Sequence, residues 1–121
     1  VLDNKGVHGW YYNSMGEEGN AVWGKKAEWV KLTADTPEGI WSMVMMDHPG
    51  NPGYPSCWHA RGYGLFSVNN LGAKVFDPAL EPFRLTLKRG ESVTFRHRLL
   101  VASRDLSVEE IEINRVLFIQ D

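Results

Sequence analysis

The stretch from Asp47 to Gly64, DHPGNPGYPSCWHARGYG, most restricts the fold of this chain of 121 residues. It contains three of the six prolines and two of the four histidines. Proline lacks a backbone N–H and fixes φ, so closely spaced prolines exclude a regular helix or a central strand. The sequence therefore predicts a long loop, and its aromatic residues argue against disorder. Loops of this length in compact domains are usually functional, so we expect a site here.

The segments on both sides of this loop have the patterns of β-strands. Ile40–Met46 is nearly all apolar, which predicts a strand covered on both faces. Elsewhere the signal is alternation of apolar and polar residues, or enrichment in aromatic ones. The predicted strands are Val7–Asn13, Ala21–Leu32, Ile40–Met46, Tyr63–Val68, Phe83–Leu87 and Val93–Val101. Glycine-containing turns separate them at residues 14–20, 33–39 and 69–72, and a tight turn at residues 89–91 predicts that the last two strands pair.

The C-terminus changes to helical periodicity. Ser107 and Glu110 have the spacing of a capping box. Apolar residues then recur at three and four positions, which predicts a helix over Val108–Ile119. Several strands followed by one helix predict a single all-β domain over residues 1–121, an antiparallel β-sheet or β-sandwich with a C-terminal helix.

Composition excludes several classes of partner. The net charge is −2 with both signs scattered, so the chain has no basic footprint for nucleic acid and no polybasic membrane patch. Its longest apolar run is far shorter than the roughly 18 residues that span a bilayer. The single cysteine, Cys57, has no partner for an internal disulfide. The sequence assigns no cofactor.

The first hypothesis is a small-molecule site built on the proline-rich loop. Trp58 and Tyr63 supply a flat apolar wall, and sugars are recognised by aromatic faces combined with planar polar groups. Lys25 or Lys26 points into the same pocket, or else both lysines protect an exposed strand edge. The structural alternative is that Trp58 fills the core and the polar residues stabilise the loop or lie at the surface. The polar candidates are His48, Asn51, His59, Arg61, Tyr63 and Asn69.

Two further hypotheses use the histidines. Acid–base catalysis would employ His48 or His59 as proton carrier, since imidazole titrates near neutrality, with Arg61 stabilising negative charge. A metal site would draw on Asp47, His48, His59 and His97, but the spacing matches no metal-binding motif. Ser56 and Cys57 lie beside His59 without the context of a catalytic nucleophile.

Three segments carry a family resemblance. Residues 13–30, 47–72 and 83–103 resemble the C-terminal part of the bacterial "methane oxygenase PmoA-like" family, and the pattern DHPxNPxxPxxWHxRxYGLF over residues 47–66 is specific. The name implies a membrane-embedded copper enzyme, yet the chain has neither a membrane span nor a tight histidine cluster. We therefore treat the name as a label.

What the resemblance implies is architectural and cellular. Family members are exported proteins, longer than this chain, from bacteria that degrade polysaccharides, so we expect a periplasmic or secreted protein whose signal lies outside this chain. The implied fold is a galactose-mutarotase-like β-sandwich of which this chain is the C-terminal half. The resemblance supports binding of a carbohydrate or related polar small molecule, and the histidines with Arg61 predict acid–base chemistry on it. A non-catalytic carbohydrate-binding module and a metal-dependent oxidoreductase stay open as alternatives. A half-sandwich would expose an apolar face and self-associate.

Overall fold

A computed structural model describes residues 3–4 and 7–121. Its regular structure is mostly antiparallel β-strand with a C-terminal helix, as the sequence predicts. The strands are β1 (Asp3–Asn4), β2 (Val7–Asn13), β3 (Trp29–Thr36), β4 (Gly39–Asp47), β5 (Trp58–Arg61), β6 (Leu65–Val68) and β7 (His97–Ala102). The helices are a 3-10 turn (Gly19–Val22), α1 (Ala73–Phe76) and α2 (Val108–Ile119). Among the described residues, no helix combines the length and apolarity needed to cross a membrane.

Five strands form one sheet in the order β1–β2–β3–β4–β7, and β5 and β6 form a separate hairpin. All neighbours in the sheet are antiparallel. β7 therefore lies at an edge and pairs with β4, not with the segment that precedes it.

One face of the sheet packs against α2. Trp29, Val44 and Met46 are buried there against Ile111 and Phe118 of the helix. The capping box begins this helix as predicted, because the Ser107 side chain accepts from Glu110 N and the Glu110 side chain accepts from Ser107 N. Both bounds of the predicted helix are confirmed.

The β5–β6 hairpin covers part of the opposite face. Tyr11 and Val30 from the sheet are buried there against Trp58 and Ala60 from β5. The Tyr11 hydroxyl donates to the carbonyls of Arg61 (3.1 Å) and Leu65 (2.8 Å), which fixes the hairpin over β2.

The rest of this second face is open. We call this apolar strip the open face, and it comprises Leu32, Ala34, Trp41, Met43, Leu99 and Val101. Leu32, Met43 and Val101 are direct neighbours across three strands. Trp41, Leu99 and Val101 are 45%, 52% and 61% exposed. The expectation that Ile40–Met46 is covered on both faces is therefore wrong for the first half of β4.

Three other predictions of elements need correction. The segment 21–28 is not a strand, since β3 begins at Trp29 and extends to Thr36 through part of the predicted turn. Residues 83–87 and 92–96 form no ladder among the described residues, so the predicted hairpin is wrong, although its turn closes between Lys88 and Glu91. The proline-rich loop ends at Cys57, because residues 58–61 form β5.

Candidate functional site

Alternation along β5 separates the residues predicted to form one site. Trp58 is fully buried and its indole N–H donates to the Ala27 carbonyl at 2.8 Å. This burial favours the alternative in which Trp58 fills the core over the predicted ligand wall. His59 and Arg61 lie on the other side of the strand, since successive side chains of a strand point in opposite directions.

His59 and Arg61 both contact Trp23, a residue that the sequence reasoning did not select. The Arg61 guanidinium carbon lies 4.3 Å from the centroid of the Trp23 ring, a cation–π contact. The His59 ring lies edge-on to Trp23 at 6.2 Å and to Phe76 at 5.3 Å. Trp23 and Phe76 are themselves edge-on at 5.1 Å. These four side chains form one contiguous group.

Backbone pairing brings Trp23 to β5. Gly24 N donates to Trp58 O at 2.7 Å, and Trp58 N donates to Lys25 O at 3.0 Å. Gly24 has φ +72, and a Cβ there would lie 2.8 Å from the Cβ of Phe76, so only glycine allows this approach. The sequence contains a signal for this close approach. Gly24 interrupts the alternation of a strand-like segment directly after Trp23, as a glycine does where two backbones lie close together.

A cavity of about 400 Å³ opens beside this group, and we call it the Trp23 cleft. Its lining includes Asn20, Trp23, Lys25, Lys26, Phe76 and Asp77. Both lysines line this cavity, whereas Arg61 does not line it and contacts the ring of Trp23. The prediction that one lysine shares a pocket with Arg61 therefore stays a prediction. The Trp23 indole Nε1 is buried and has no hydrogen-bond partner among the described residues. A buried N–H without an acceptor costs free energy that a bound acceptor would recover.

His48 and Asn51 belong to a different cluster, at the end of β4. His48 is 6% exposed; its Nδ1 accepts from Gly50 N at 2.9 Å, and its ring lies edge-on to Phe118 at 5.2 Å. Arg96 Nη2 lies 2.7 Å from its Nε2. His48 therefore does not join His59, and this placement favours a structural role over the predicted catalytic one.

Asn51 is fully engaged in the same cluster. Its Nδ2 donates to Asp47 Oδ1 and to Arg96 O, both at 2.7 Å, and its Oδ1 accepts from Arg96 N at 2.7 Å. These bonds hold the loop against the start of β7, which favours a structural role for Asn51 over the predicted ligand-binding one.

The remaining candidates are dispersed. Tyr63 is 74% exposed in the turn between β5 and β6, and no contact between it and Trp23 is found. Asn69 accepts from Gly72 N at 3.1 Å through its Oδ1, which closes the predicted turn. Cys57 is buried, and burial raises the pKa of its thiol, which disfavours a thiolate nucleophile.

The predicted metal ligands do not assemble as a set. Asp47 and His97 are neighbours, with Oδ1 3.4 Å from Nε2, while His48 faces Arg96 and His59 faces Trp23. Within the described part of the chain, no group of three His, Cys, Asp or Glu residues could hold a metal ion.

Comparison with known families gives one match, to DUF6807, a family of unknown function, over residues 3–114. The chain belongs to the DUF6807 family. The matched range contains the Trp23 cleft, the proline-rich loop and β7 of this DUF6807 chain. Searches among curated proteins and solved structures found no match. The family description names no activity, so the PmoA-like and mutarotase-like resemblances stay predictions.

Proposed function

We propose that this DUF6807 chain binds a carbohydrate, or a related polar small molecule, at the Trp23 cleft. The observation that carries this proposal is the buried, unpartnered indole N–H of Trp23 in a ring that borders the cleft. An aromatic ring covers the apolar face of a sugar. The Trp23 N–H is covered in the unliganded protein, and it donates to a hydroxyl or ring oxygen when ligand binding opens that edge of the ring.

The charges around the cleft favour an acidic sugar. Lys25 and Lys26 line it, and Arg61 stacks on the ring of Trp23, whereas Asp77 is the one acidic residue among the lining side chains. Two lining lysines against one lining carboxylate, with the Arg61 guanidinium against the Trp23 ring, attract an anionic ligand and disfavour a cationic one. We therefore assign the ligand to the uronic-acid class.

We extend the proposal to the architecture of the sheet and its open face. The chain is one half of a galactose-mutarotase-like sandwich, and strands outside it cover the open face. The exposed apolar side chains on the second face of the sheet support this, because a sandwich buries both inner faces.

The binding experiment compares glucuronate, glucose and glucosamine by thermal shift and calorimetry. Glucuronate should stabilise the protein most and glucosamine least, since bound ligand raises the free energy of unfolding by mass action. Trp23→Phe keeps a ring but removes the N–H donor, and should weaken glucuronate binding by about tenfold, equivalent to about 1.4 kcal/mol. Trp10→Phe, which changes a tryptophan outside the cleft, is the matched control. Equal stabilisation by all three sugars, or equal loss in both variants, would refute the proposal.

The catalytic alternative is favoured by one observation, that His59 and Arg61 contact the same ring. His59 would then carry a proton and Arg61 would stabilise negative charge. His59→Ala should abolish turnover of the bound sugar while leaving its affinity within about tenfold. Equal loss of both would assign the chain to the non-catalytic binding modules.

A further inference from the structure

A second cavity lies between the proline-rich loop, residues 68–71, residues 83–95 and the start of β7. It measures about 270 Å³ and shares no lining residue with the Trp23 cleft. Its walls are largely apolar, from Phe83, Leu85 and Phe95, and its polar lining includes Ser56 and His97. We call it the His97 cavity.

His97 is held beside a buried carboxylate. Asp47, the last residue of β4, is in register with His97, the first residue of β7. The Nε2 atom of His97 lies 3.4 Å from Asp47 Oδ1, and the Asp47 side chain is fully buried while that of His97 is 29% exposed. Sheet register therefore fixes this pair.

The carboxylate of Asp47 is itself fixed. Its Oδ1 accepts from Asn51 Nδ2 at 2.7 Å, and its Oδ2 accepts from Ser56 N at 3.0 Å. A carboxylate oxygen beside Nε2 favours the tautomer with the proton on Nε2. In the neutral ring, Nδ1, for which no bond to another described residue is found, is then an unprotonated acceptor.

The other polar groups of the cavity are largely engaged. Ser56 Oγ accepts from Asn70 Nδ2 at 2.8 Å, and Asn70 Oδ1 accepts from Cys57 N at 2.8 Å. Asn69 also lines the cavity, and its Oδ1 accepts from Gly72 N at 3.1 Å. His97 is therefore the side-chain acceptor that we consider for a ligand.

We propose that the His97 cavity binds a small molecule with an apolar ring and one hydroxyl group, a phenol or similar alcohol, whose O–H donates to His97 Nδ1. Phe83, Leu85 and Phe95 contact the ring, and Asp47 is a positioning residue that sets the tautomer of His97. This site is separate from the sugar site, so either proposal can fail without the other.

The test uses the full chain with phenol and anisole as probes, followed by NMR of the imidazole and phenylalanine signals. Phenol should shift His97 and Phe95 saturably, and anisole, which lacks the O–H donor, should bind about tenfold more weakly. The long-range ¹H–¹⁵N correlation spectrum of the His97 ring should show that Nε2 is protonated and Nδ1 is unprotonated.

Variants separate the role of the acceptor from that of the cavity. His97→Phe should remove the preference for phenol over anisole, while His97→Gln, whose amide oxygen can accept, should keep it. His8→Phe changes a histidine on β2, outside the cavity, and should leave both affinities unchanged. If His97→Phe fails to fold, the comparison of probes on the unmodified chain still decides. The proposal would be overturned if phenol and anisole bound the unmodified chain with equal affinity, or if neither bound saturably. It would equally be overturned if phenol shifted only the signals of Trp23, or if the neutral His97 ring carried its proton on Nδ1.

Discussion

The side chain of Asn51 joins the proline-rich loop to the residue before β7. It donates to Asp47 and to the Arg96 carbonyl, and it accepts from the Arg96 N–H. Asn51→Ala removes all three bonds and leaves buried partners unsatisfied. We expect it to lower the free energy of unfolding by about 1–3 kcal/mol.

Denaturant unfolding measures this loss. Asn20→Ala is the matched control, because Asn20 is exposed and no side-chain hydrogen bond of it is found among the described residues. Its effect should stay within about 0.5 kcal/mol. Similar values for the two variants would show that the Asn51 amide contributes little.

At the scale of residues, the sequence predicted ligand roles for side chains of the proline-rich loop that the structure uses within the protein. Trp58, His48 and Asn51 are buried and engaged within the protein. A loop without a regular ladder must satisfy its buried backbone groups with side chains, so polar residues concentrate there for structural reasons. Composition does not distinguish that need from ligand binding. Trp23 was missed because its partners, His59 and Arg61, are distant in sequence.

The capping box of α2 gives a prediction at the scale of elements. Ser107 Oγ accepts from Glu110 N at 3.2 Å, and Glu110 Oε2 accepts from Ser107 N at 2.9 Å. Ser107→Ala should lower the free energy of unfolding by about 0.5–2 kcal/mol, the usual cost of losing an N-cap side chain. Ser103→Ala, an exposed serine before the helix, is the control and should have little effect.

The capping box of α2 also makes the free energy of unfolding depend on pH. The backbone N–H of Ser107, followed by the side chain of Arg104, lowers the pKa of Glu110 from its ordinary 4.5. A lowered pKa in the folded state means that this stabilisation is full above pH 4.5 and is lost as pH falls through the folded value. The unfolding free energies of the wild type and Glu110→Gln should therefore differ at neutral pH and converge in acid. A constant difference across that range would contradict this prediction.

Elements were predictable where local signals decide them. The bounds of β2 and α2 are confirmed because aromatic enrichment and a capping box act within the segment itself. The partner of β7 was not predictable, since β4 lies about fifty residues earlier and the turn at residues 89–91 indicated a local hairpin. Lys31 lies at an inward-facing position of β3, where its Nζ donates to Asp105 Oδ1 at 2.7 Å. The alternation of apolar and polar residues in the sequence cannot predict this bond.

At the scale of the whole molecule, the fold leaves apolar surface on two sides. The open face exposes Trp41 and Val101, and the outer side of α2 exposes Ile113 and Leu117. β7 also has an unpaired edge among the described strands, continuous with the unladdered segment 92–96. An exposed edge beside an apolar face is a template for association.

We therefore predict that the isolated chain self-associates through the open face. Sedimentation velocity should show a concentration-dependent increase in mass, and Val101→Lys should shift the chain toward monomer, because burying a lysine in that contact costs desolvation free energy. Ile113→Lys places the same charge on the outer side of α2. Comparison of the two variants shows whether the open face or the helix surface mediates association. If Ile113→Lys, and not Val101→Lys, restores the monomer, the helix mediates association and the sandwich proposal loses its support. A chain that is monomeric at all concentrations would show that the open face is tolerated in water, and the argument for covering strands would then fail.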